Sequence, residues 1–178
     1  MKKILKYIGM GFGGLVVLLV VVGLFLPREW SVERSVVINA PSERIHPFIV
    51  KLPAWQEWAA WNKGMDPDVK YEYSGPAEGV GATWSWNGPK MGKGKMIITS
   101  ADPAKGITVD EAIETDEINA HGSFAYAAEG AGTRVTWTDR GTLPPVIGGY
   151  FRGQINDMLG EHFQTGLTKL KEVVEKAP

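Results

Sequence analysis

The sequence contains no cysteine. That excludes disulfides, thiolate metal sites and cysteine nucleophiles, and it leaves the compartment undecided. Histidine is scarce as well: His46, His121 and His162 lie on three separate segments, and none forms an HExxH or similar ligand pair. A metal site is therefore not expected. There is no GxSxG elbow for a hydrolase. Gly92-Lys93-Gly94-Lys95 lacks the spacing of a phosphate loop and leads into a strand instead of a helix. No cofactor motif, internal repeat or low-complexity segment occurs. Positive charge is also short. Residues 1–26 hold three lysines and no acid, which leaves 16 basic against 20 acidic side chains, a net of −4. An acidic domain is a poor partner for nucleic acid, because phosphate contacts need a basic face.

What is present begins with an apolar run from Tyr7 to Leu26 without a charge. At 1.5 Å of rise per residue it would span about 30 Å, the thickness of a bilayer core. Lys2, Lys3 and Lys6 precede it, and a mixed flank of Arg28, Glu29, Glu33 and Arg34 follows. No small-x-small cleavage pattern appears near Pro27, so the expectation is an uncleaved signal anchor. The positive-inside rule would place the N-terminus in the cytoplasm and the rest on the outer (periplasmic or extracytoplasmic) side. Residues 1–27 would form the cytoplasmic tip and anchor, and residues 28–178 the domain. Gly9 and Gly13 form a GxxxG in the run, a weak signal for a homodimer through the anchor.

The rest of the chain is long enough for one domain with a true core. Trp30 to Ile38 alternates as a strand. Pro41 suits the first turn of a helix and Glu43 suits its dipole. That helix carries Ile45, Phe48 and Ile49 and ends near Pro53, and a second short helix holds Trp55, Trp58 and Trp61. Strand-like runs then lie at 69–74, 82–87, 93–101, 107–114, 118–128 and 133–141. The breaks between them are rich in Gly, Pro, Asp and Thr. Six successive strands with short links imply an antiparallel meander. After Pro144 and Pro145 a stripe of Phe151, Ile155, Leu159, Phe163, Leu167, Leu170 and Val174 recurs every three or four residues, the period of a long amphipathic helix.

Strand parity proposes the inward faces. Tyr71 and Tyr73 share one, as do Trp84 and Trp86, Phe124 and Tyr126, and Val135, Trp137 and Asp139. The aromatic sides are expected to face a ligand pocket or to be plain core. The candidate lining is Tyr71, Tyr73, Trp84, Trp86, Phe124, Tyr126, Trp137 and Asp139 from the strands, with Phe151, Ile155 and Leu159 from the last helix. The tryptophan triplet is expected to pack first, with a lid or interface role open. Asp139 on an apolar face could orient a ligand or act as a base, or it could sit at a strand end in solvent or beside Arg140 or Arg152. Glu111 shares parity with Ile107, Val109 and Ile113 and raises the same question. His162, near Phe163, could be a polar pocket group or could face solvent.

The order of strand, two short helices, six strands and long helix resembles the helix-grip domains of the SRPBCC, START-like or Bet v 1-like superfamily. Val36-Val37-Ile38-Asn39-Ala40-Pro41, Trp55-Gln56-Glu57-Trp58 and Gly166-Leu167-Thr168-Lys169-Leu170-Lys171 carry the resemblance. It is nearest to the bacterial polyketide cyclase/dehydrase-like branch. The resemblance implies an α+β fold: a curved seven-stranded antiparallel sheet around a long C-terminal helix, with a cavity for an apolar ligand. The functional expectation is a membrane-anchored binding module for a lipid or an aromatic or polyketide-like metabolite. Two alternatives stand beside it: a cyclase or dehydratase using pocket acids, and an envelope protein-interaction domain without a ligand.

Overall fold

The computed structural model describes residues 2–117 and 119–177, with the side chains of residues 2–6 and 8 left out. Helix α1 (Lys2–Phe25) leads into strand β1 (Glu29–Ile38). Helix α2 (Ser42–Val50), a 3-10 turn at Leu52–Ala54 and the single turn of α3 (Trp55–Trp58) follow. The meander comprises β2 (Lys70–Ser74), β3 (Thr83–Gly88), β4 (Gly92–Asp102), β5 (Gly106–Ile113), β6 (Ala120–Glu129) and β7 (Gly132–Thr142). Helix α4 (Gly148–Lys176) closes the chain. The expected start of the sixth strand at Ile118 lies outside the described residues.

The seven strands form one antiparallel sheet in the order β1-β7-β6-β5-β4-β3-β2. Only β1 leaves sequence order. It pairs with β7 from Glu29↔Thr142 to Ile38↔Thr133, so the first and last strands lie side by side. A register shift between Ile98 and Ser100 on β4 bends the sheet. The β4–β5 turn closes on Gly106 at φ 117°, where a Cβ would collide with the Phe124 carbonyl of β6.

Alternation in β7 is strict. Thr133, Val135, Trp137 and Asp139 are buried, and the residues between them are more exposed. The inner face packs against the C-terminal half of α4, where Phe163, Leu167, Leu170 and Val174 are buried. Gly166 permits the close approach, since a Cβ there would already be 3.3 Å from the Trp137 ring. The N-terminal half of the predicted stripe behaves differently: Phe151 is exposed and Ile155 only half-buried, although this end of α4 still lies beside the start of β1, where Arg152 donates to the Glu29 carbonyl.

The N-terminal segment corrects the expectation of a membrane span. Among the described residues no helix is long and apolar enough to cross a membrane. The end of α1 also stays with the domain. Gly23 is buried, with no room for a Cβ beside the Val146 carbonyl, and Tyr150 Oη donates to the Leu19 carbonyl at 2.6 Å. The predicted outer-side location, membrane partner and pairing through an anchor lose their basis with the span. A Cβ at Gly9 or Gly13 would meet nothing within 4 Å.

Phe163→Ala removes the ring that α4 lays on the sheet. Urea unfolding should show a loss of about 3–5 kcal/mol, and a loss within experimental error would contradict this account of α4 docking.

Candidate functional site: an aromatic cavity with a buried carboxyl pair

Trp137, at the middle of β7, organises the interior. Phe163 of α4 stacks on it at 4.0 Å and 4°, and Phe124 of β6 lies on it at 4.7 Å and 30°. Trp55, Trp58 and Trp61 meet it edge-on at 5.6, 5.7 and 5.9 Å. Such tilted contacts are favoured because the positive ring edge faces the negative ring face. Trp55 Nε1 donates to the Ile49 carbonyl and Trp58 Nε1 to the Phe48 carbonyl, which ties α3 to α2. Trp55 and Trp58 are buried and are packing residues; Trp61 is half-buried and leans on His162 and Phe163.

Beyond this cluster the bent sheet and α4 diverge and leave a cavity of about 190 Å³. Trp30, Trp55, Trp61, Trp84, Trp86 and Trp137 supply its aromatic walls. Met91, Met96, Ile113, Met158, Leu159 and Phe163 complete the apolar surface, and Glu111 and Asp139 are its acids. Trp84 is 3 % exposed, and its Nε1 has no hydrogen-bond partner. A buried donor left unpaired is costly, so this N–H marks a place where a guest's acceptor would be favoured. Wider grooves of about 500 and 630 Å³ lie at the surface, but they open to solvent and are lined mainly by polar side chains such as Lys70, Glu72 and Arg140.

The polar end of the cavity follows from register. Glu111 on β5 faces Ala120 of β6, and Asp139 on β7 faces Gly122 of β6. No side chain larger than a methyl stands between the acids, so the two carboxyls neighbour each other across β6. A Cβ at Gly122 would lie 2.8 Å from Val109 and 3.8 Å from the Asp139 carboxyl. Burial raises the pKa of Glu111 well above the usual carboxylate range, and the neighbouring Asp139 adds to the rise. Burial also raises Asp139, to about 7, against the pull of the Arg140 N–H, Glu111 and His121. The Arg140 backbone N–H donates to Asp139 Oδ1 at 2.7 Å. Neither candidate arginine side chain pairs with Asp139: Arg140 points outward, and Arg152 donates to the Glu29 carbonyl. Burial thus favours the protonated form of both acids.

Of the residues proposed from parity, the structure brings Trp84, Trp86, Trp137, Asp139 and Leu159 to this cavity. Phe124 lies behind Trp137 as core. Tyr71 and Tyr73 share the inner face but sit on the edge strand β2, where they border surface grooves. Tyr126 lies at the far end of β6 with its hydroxyl 3.2 Å from His46 Nδ1, and burial raises its pKa. Phe151 and Ile155 do not line the cavity. His162 does not line the cavity; its pKa is lowered by burial. Strand parity could have promoted Glu111 and Ile113, and the alternation of β4 could have found Met96. Trp30 shares the parity of Val32 on β1 and could have been found the same way, whereas Met91 and Met158 carry no such signal, since the bend of the sheet decides which loop and helix turn reach the opening. Among the described residues no group of three or more His, Asp or Glu side chains is placed to hold a metal ion.

Sheet, grip helix and interior cavity define a helix-grip domain of the SRPBCC or START-like class. The chain belongs to the family described as polyketide cyclase/dehydrase and lipid transport, which matches over residues 29–175. Solved structures share the fold at low identity. One is the solution structure of the Aha1 dimer from Colwellia psychrerythraea, with TM-score 0.59, 18% identity, and coverage of 82% of this chain and 96% of that one. The KanY protein is similar at TM-score 0.62, 17% identity, and 83% and 98% coverage. CalU16 from Micromonospora echinospora is similar at TM-score 0.54, 14% identity, and 82% and 76% coverage. A comparison with curated proteins finds no match in sequence.

A raised carboxyl pKa costs stability, because the folded state holds a proton that the unfolded state releases. For Asp139 the cost should grow as pH rises from about 4, the unfolded value, to about 7, the folded one, and then level off. Asp139→Asn should therefore stabilise the protein at pH 8, on the order of 2–4 kcal/mol, and flatten the pH profile of urea unfolding. Equal pH slopes for the two proteins would contradict the assignment.

Proposed function

We propose that this chain binds a small apolar molecule, with at least one polar group, in the cavity between α4 and the sheet. The observation that carries the reading is an aromatic cavity whose lining includes Trp84, with its unpartnered indole N–H, and two acids. A space intended only as core would be filled by side chains. Its volume limits the guest. At about 190 Å³ it is below the roughly 300–1,000 Å³ of a site for a drug-sized ligand and close to the ~150 Å³ that holds one benzene ring. A one- or two-ring metabolite, or the end of a larger chain, fits better than a whole lipid. The family's description as polyketide cyclase/dehydrase and lipid transport agrees with an apolar cargo.

A second reading, acid–base chemistry of the cyclase or dehydratase kind, has one observation in its favour: Glu111 and Asp139 stand together in the cavity wall, and burial raises the pKa of both. One acid could take a proton while the other gives one. If a substrate is turned over, Asp139→Asn should lower kcat by about 100-fold or more, and unchanged turnover would remove that role.

Binding is tested with indole and toluene as probes, followed by ligand-observed NMR and tryptophan fluorescence. Both should bind, and Leu159→Trp, which fills the space, should abolish binding while leaving urea stability near that of the parent. Absence of binding at millimolar probe, or equal binding by the filled variant, would overturn the reading.

A further inference from the structure

The two acids of the cavity have no cationic partner. No lysine or arginine lines the space. Arg34 of β1, in register with Trp137, is exposed beside Gly160 of α4 and donates to the Glu33 carbonyl. His121 is engaged with Asp110 at 2.7 Å, and the Arg140 side chain points away while only its backbone N–H reaches Asp139. A buried carboxylate without a compensating charge is costly, and a guest that carries the missing charge removes the cost. The walls agree with this. Trp84 lies two strands from Glu111 on one rung, Trp84↔Met96↔Glu111, and Trp137 lies two residues from Asp139 on the same face. Indole faces beside carboxyls are the surroundings that attract an ammonium group, through ring quadrupole and charge together.

Building on the proposed binding of a small apolar molecule, we infer that the guest is an aromatic amine, with its ring among the tryptophans and its ammonium group on Glu111 and Asp139. Three features converge on this: the absence of cations in the lining, the bare β6 backbone at Ala120 and Gly122 that opens both carboxyls to one point, and a volume suited to one ring with a short side chain. On binding, the ammonium donates N–H bonds to the two carboxyls, and any proton they give up leaves to solvent.

The test compares 2-phenylethylamine with its neutral counterpart 2-phenylethanol at pH 8, by calorimetry and tryptophan fluorescence on the full chain. The amine should bind more tightly by about tenfold or more. Asp139→Asn, which keeps the shape, should reduce the ratio to near one, and Glu111→Gln serves the same purpose should the first variant fold poorly. Equal binding of amine and alcohol would overturn the inference and leave the apolar cavity standing. An amine preference that survives both substitutions would overturn it too, since the preference would then arise elsewhere. If neither probe binds, the inference falls together with the proposed function.

Discussion

The stack of Phe163 on Trp137 is the contact on which the rest of the interior depends. It fixes how far α4 lies from the sheet, and Gly166 makes that distance possible by presenting no side chain to the indole. With the helix held at this point, the sheet bends past it, and the space further along cannot close without separating the stacked rings. The tryptophans of α3 buttress Trp137 from the other side. The cavity is thus a consequence of one tight contact beside one bend. Aromatic rings suit this task because they bury large area at little cost in side-chain entropy.

The same strand that carries the stack carries the chemistry. Asp139 is two residues from Trp137 and so faces the same way, into a region the stack keeps dry. Glu111 meets it only because β6 offers Ala120 and Gly122 at that level. Two acids in such a place are an electrostatic cost that packing must carry. Proteins keep such costs mainly where a bound group or a reaction uses them. The chain's membership of a family linked to apolar cargoes gives the cavity its class, and the acids distinguish this site from a purely apolar one.

Much of the architecture was legible in the amino-acid order. Alternation in β1 and β7 and the three-to-four spacing of Phe163, Leu167, Leu170 and Val174 are local signals, and the structure follows them. Parity placed Trp84, Trp137 and Asp139 on the inner face, but parity says nothing about position along a strand. Tyr126 and Tyr73 share that face and end elsewhere, at the far end of β6 and on the edge strand. Phe151 fits the helical stripe and is exposed, because periodicity marks a face of the helix and not how far along the helix that face is covered. The N-terminal apolar run was misread for a related reason. Hydropathy counts residues, and it does not register that the end of α1 lies against α4 at Gly23 and Tyr150.

The central claim is that the space beside the Trp137–Phe163 stack is a true, guest-accepting cavity. A crystal of the protein under xenon pressure tests it most directly, because xenon enters apolar voids without needing the right polar group. The account predicts xenon density bounded by Trp84, Trp137, Met96 and Leu159, with the side chains unmoved. A crystal in which Trp84 or Trp86 has rotated to fill the space, with no xenon there, would contradict it.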